Sequence, residues 1–81
     1  MSEIKSIPVG KIVITGDNPR KEFNLESLNL LGDSIQSHGL LQPILVRPKE
    51  DYYELVVGER RLRAVQLKGM YEIEALSLIH I

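Results

Sequence analysis

The residues with chemical potential in this 81-residue chain gather in one run, Val56-Val57-Gly58-Glu59-Arg60-Arg61-Leu62-Arg63-Ala64. β-Branched residues feed a single glycine, and an arginine-dense helical pattern begins at once. A strand that bends at Gly58 into a helix aims free backbone N–H groups, the positive end of the helix dipole and three guanidinium groups at one point. A phosphate group fits there. A solvated, salt-bridged first helical turn fits the same letters, because Glu59 suits a helix start and glycine suits any tight bend. Arg60 and Arg63 are three apart and share a face, while Arg61 points roughly a quarter-turn away. Glu59 cannot pair with all three arginines, and the other acids are distant in sequence. That imbalance favours an anionic ligand.

The rest of the composition narrows the chemistry. There is no cysteine, which removes disulfides, zinc ribbons and thiol catalysis together. No His/Asp/Glu set has metal-ligand spacing, and neither a nucleophile elbow nor a Walker-type loop is present. His38 suits the end of a helix as a cap, and His80 lies in an apolar tail with no partner in view. Asn18-Pro19-Arg20-Lys21 reads as a turn whose proline holds an arginine. Phe23, Tyr52, Tyr53 and Tyr71 are the only aromatics, too few for a base-stacking platform. A net charge of −1 argues against a generic polyanion binder. The basic residues are unevenly spread: Arg47, Arg60, Arg61, Arg63 and Lys68 lie in the second half. That distribution suits a discrete phosphate ligand better than a long duplex track. No apolar run is long enough for a membrane helix, and Met1-Ser2-Glu3-Ile4-Lys5 lacks signal-peptide character, so a cytoplasmic protein is expected.

The elements that must position these residues are legible in outline. Ile4 to Thr15 reads as extended, interrupted at Pro8 and Gly10 into two short strands or a bent one. Asn24 caps a helix expected from about Leu25 to His38, with Glu26 in its first turn, Leu28, Leu31 and Ile35 as its apolar stripe, and Gly39 as its stop. Phe23 is placed to staple onto Leu28. Pro43 to Pro48 and Tyr52 to Val57 form the arms of a hairpin, with one of Tyr52 and Tyr53 facing the core. A second helix runs from Glu59 to Lys68, and a last strand from Glu72 onwards. The order implies one small α+β domain over residues 1–81, a mixed sheet with two helices. The hairpin separates the helices, so no helix-turn-helix is formed. The apolar ending Leu76-Ser77-Leu78-Ile79-His80-Ile81 implies either that more protein follows or that residues 76–81 are not native sequence.

Three segments stand in fixed order: Asn18-Pro19-Arg20-Lys21, then Ser34-Ile35 through His38-Gly39-Leu40-Leu41-Gln42-Pro43-Ile44, then Gly58-Glu59-Arg60-Arg61-Leu62-Arg63-Ala64. Together they resemble the N-terminal domain of the ParB partition-protein family, the ParB/sulfiredoxin fold, over about Ile7 to Ile73. The resemblance implies a domain that binds and slowly hydrolyses CTP with Mg2+, the nucleotide gating closure of a dimeric clamp on DNA. By position, Gly58, Glu59, Arg60 and Arg61 would form the phosphate box, with Arg63 beside them. Arg20 would face the same ligand, and Gln42 would lie at the floor of the pocket. Asn18 stands where many members carry glutamine. Partners implied are a nucleotide, DNA through domains this chain lacks, a second copy in a homodimer, and a partition ATPase, with a nucleoid-associated location and no membrane. The family's acidic and asparagine metal-binding side chains lie beyond this sequence, so the chain alone is expected to be inactive and to bind nucleotide weakly or not at all. Sulfiredoxin activity needs a cysteine and is excluded. Two further readings stay open at this point: a nuclease or other nucleotide-using enzyme of the same fold, and a protein-interaction domain of a phage or transcriptional regulator.

Overall fold

The computed structural model describes residues 2–14, 24–39 and 42–78. Its elements run β1 (Ser2–Pro8), a 3-10 turn over Val9–Lys11, β2 (Ile12–Val13), α1 (Leu25–His38), β3 (Ile44–Pro48), β4 (Tyr53–Val57), α2 (Glu59–Leu67) and β5 (Glu72–Leu78). The five strands form one mixed sheet in the order β1-β5-β3-β4-β2. β1 pairs antiparallel with β5, and β3 antiparallel with β4, while β3–β5 and β2–β4 are parallel.

Local chemistry accounts for these boundaries. Asn24 is extended at the head of α1, and its side chain accepts from the Ser27 N–H at 3.0 Å, satisfying one of the helix's orphan donors. Gly39 ends α1 with φ 81°, and its N–H returns to the Ile35 carbonyl. The extended N-terminal segment breaks after Pro8, as expected. The Val9 N–H then leaves the ladder for the Tyr71 carbonyl at 2.8 Å. Thr15, the Asn18–Lys21 turn, the Phe23 staple and residues 79–81 lie outside the described residues. Leu76, Ser77 and Leu78 belong to β5, where Ser77 is buried.

Alternation on the central strands builds the core. Ile44 and Val46 of β3, with Ile73 and Ala75 of β5, face the helices and are almost wholly buried. Leu28 and Ile35 of α1 and Leu62, Ala64 and Val65 of α2 cover them. Tyr53 packs on this core, whereas Tyr52 is exposed, which settles which hairpin tyrosine turns inward. The apolar stripe of α1 also contains a residue the periodicity did not mark. Gly32 is buried, and a Cβ there would stand 3.0 Å from the Ala64 carbonyl oxygen. Small residues at Gly32 and Ala64 therefore let α1 and α2 approach closely. That closeness brings the starts of the two helices to one hollow.

Candidate functional site

α2 begins at Gly58, the residue that joins it to β4. Gly58 has φ 111° and ψ 28°, a left-handed conformation that L side chains rarely adopt. It also lies against β3: a Cβ would meet Ile44 Cγ2 at 2.7 Å and Ile44 Cα at 3.3 Å. The bend thus needs glycine for its backbone and for close strand packing, whether or not a ligand is present. No side chain caps the helix that follows. The first helical bond runs from the Leu62 N–H to the Gly58 carbonyl at 3.0 Å, so the three preceding N–H groups lie ahead of the helical ladder.

The three arginines on this turn go to three different places. Arg63 folds back onto Glu59, with Nη2 and Oε2 3.1 Å apart in an i,i+4 ion pair. The shared face read for Arg60 and Arg63 is not used jointly, because the nearer carboxylate takes Arg63. Arg60 donates to the Ser27 hydroxyl on the first turn of α1. Arg61 donates to Gln42 Oε1 at 3.1 Å, in the segment that leads into β3. Arg60 and Arg61 thus bond neutral oxygens and meet no carboxylate among the described residues. Elsewhere Arg47 and Lys49 meet Glu54, and Lys68 meets Asp33.

Arg60 also borders a hollow of about 410 Å³ with Asn24, Glu26, Ser27, Leu30 and Leu31. The first turns of both helices open onto it. Two positive helix ends and the Arg60 guanidinium border this space, and the Glu26 carboxylate lies in its lining. Of the residues singled out in the sequence, Gly58, Glu59, Arg60, Arg61 and Arg63 share one turn, and Gln42 is joined to it through Arg61. Asn18 and Arg20 lie outside the described residues. Ser27 carried no signal in the sequence, being 33 positions from the arginine it holds. Among the described residues no group of three or more His, Cys, Asp or Glu could hold a metal.

The fold has known counterparts. Sulfiredoxin from Arabidopsis thaliana superposes with a TM-score of 0.80 at 26% identity, over 96% of this chain and 86% of that one. The C-terminally truncated chromosome-partitioning protein ParB from Caulobacter crescentus, complexed with CTP-gamma-S, superposes with a TM-score of 0.82 at 36% identity, over 98% of this chain and 46% of that one. The same protein complexed to the centromeric parS site matches with a TM-score of 0.75 at 42% identity, over 85% and 37% of the two chains. The architecture is therefore the ParB/sulfiredoxin one.

In sequence, the probable chromosome 2-partitioning protein ParB of Deinococcus radiodurans is 46% identical over 72 residues, 89% of this chain and 25% of its own length. The chromosome-partitioning protein Spo0J of Thermus thermophilus is 51% identical over 70 residues, 86% of this chain and 26% of its own. The ParB N-terminal domain family model matches residues 1–77, and the chain belongs to that family. It spans about a quarter of the length of these relatives. No helix among the described residues is long and apolar enough to cross a membrane.

Proposed function

We propose that this domain binds the triphosphate of CTP at the start of α2 and serves as the nucleotide-responsive module of a ParB-like partition protein. The observation that carries the reading is the state of Arg60 and Arg61. Both are held by hydrogen bonds to neutral oxygens, so neither is ion-paired to a carboxylate among the described residues. An arginine placed for fold stability alone would be expected to meet a carboxylate, as Arg63 does. The N–H groups ahead of the α2 ladder supply donors for phosphate oxygens, and the helix dipole adds attraction. Arg61 provides a charge-assisted, fork-shaped contact oriented by Gln42. Glu59 orients Arg63 and shapes the edge of the turn. By family resemblance, Arg20 would face the same ligand.

Support for CTP in particular comes from the Caulobacter relative, crystallised with CTP-gamma-S and, separately, on parS DNA. In a protein of the length of its ParB relatives, the nucleotide would govern how the domain docks with a second copy and with a DNA-binding part, and a partition ATPase would be a further partner. Mg2+, when bound, would shield the triphosphate charge; its protein ligands would come from outside the described residues. Isothermal titration of the domain extended to the length of its ParB relatives, with CTP and Mg2+ and with ATP as control, tests the reading. Saturable heat for CTP and little for ATP is expected. Equal, negligible heats for both remove the nucleotide claim. Arg61→Ala should weaken CTP by roughly 2–3 kcal/mol, the usual size of such a charged hydrogen-bonding group.

A further inference from the structure

We infer that Ser27 is a positioning residue for this site: its hydroxyl fixes the Arg60 guanidinium beside the two helix starts without neutralising it. The inference rests on the proposed triphosphate reading of the α2 start. Ser27 is the third residue of α1. Its N–H is already taken by the Asn24 cap at 3.0 Å, which sets the turn from which the hydroxyl projects. That hydroxyl accepts from Arg60 Nη2. Both residues line the same hollow.

A cation beside the positive ends of two helices is electrostatically unfavourable, and a free arginine on the surface of α2 would swing away. Something must hold it there. A carboxylate at position 27 would hold it better but would cancel the charge an incoming phosphate needs. A hydroxyl holds the side chain and leaves its charge intact. Ordering Arg60 before the ligand arrives also lowers the conformational entropy lost on binding.

Substitutions at position 27 separate this role from a structural one, because they move fold stability and binding in opposite directions. Ser27→Asp adds a negative charge to the first turn of α1, which favours the helix. Its melting temperature should equal or exceed that of the parent, while CTP affinity, titrated with Mg2+ present, falls more than about tenfold. Ser27→Ala should weaken CTP roughly three- to tenfold, and Ser27→Thr, which keeps the hydroxyl, should bind as the parent does. In an Arg60→Ala background, Ser27→Ala should have no further effect. Parent-like CTP affinity in both Ser27→Ala and Ser27→Asp would overturn the inference while leaving the nucleotide reading standing. Additive losses in the Ser27→Ala/Arg60→Ala pair would overturn it too. A parent protein that binds no CTP removes the nucleotide reading and this inference with it.

Discussion

Replacing Gly58 with alanine would place a methyl group 2.7 Å from Ile44 Cγ2 and 3.0 Å from Ile44 Cβ, in a residue whose φ is 111°. Two penalties combine. Holding an L side chain in the left-handed region costs about 1–2 kcal/mol. Forcing an extra methyl against a buried strand costs typically ~1–3 kcal/mol more, and Ile44 is only 1% exposed, so it has little room to yield. Alanine returns ~0.4–1 kcal/mol by stiffening the unfolded chain. The net loss is about 1.5–4 kcal/mol. An 81-residue domain has a total stability of about 4–12 kcal/mol. Gly58→Ala should therefore remove a large share of it.

Urea denaturation followed by circular dichroism reads this loss as a lower midpoint with an unchanged slope. Gly10→Ala is the matched control, because a Cβ there meets nothing within 4 Å and no positive φ is involved. It should be neutral or stabilising by up to ~1 kcal/mol. Equal midpoints for the two variants, or a Gly58→Ala loss below about 0.5 kcal/mol, would refute the reasoning about the bend.

Three further outcomes follow from the same contacts. Asn24→Ala removes the acceptor for the Ser27 N–H and should cost about 1 kcal/mol in thermal melts, without abolishing the fold. Gly32→Ala sets a methyl 3.0 Å from the Ala64 carbonyl oxygen and 2.6 Å from the flexible Lys68 Cγ. The clash with fixed backbone should outweigh alanine's ~1 kcal/mol helix advantage, so the melting temperature should drop rather than rise. Glu26→Gln removes a carboxylate that lines the α1–α2 hollow. CTP should bind about two- to fivefold tighter in low salt, with the gain shrinking as salt is added, as expected of an exposed charge.

Much of the fold was legible because its signals are local. α1 spans Leu25–His38 as its cap, stripe and terminal glycine require, and α2 begins at Glu59 directly after the glycine bend. The β3–β4 hairpin follows from two β-rich runs around a polar turn. Strand order was not legible. The parallel pairings of β3 with β5 and β2 with β4 depend on how the helices cross the sheet, which no local pattern encodes. Gly32 was missed for the same reason, since its contact is with Ala64 on the other helix.

The candidate site was legible as a cluster but not as a geometry. The Glu59–Arg63 pair could be read from its spacing. That Ile44 dictates the glycine at 58, or that Ser27 captures Arg60, required knowledge of which distant elements meet.

Amide chemical-shift mapping during a CTP titration tests the phosphate cradle most directly, because it reports on the very N–H groups invoked. The largest saturable shifts should fall on the amides of Glu59, Arg60 and Arg61, with smaller ones at Ser27 and Gln42. Shifts centred elsewhere, for instance on the hollow around Tyr52 and Lys49 at the hairpin tip, or no saturable shifts at all, would contradict the account.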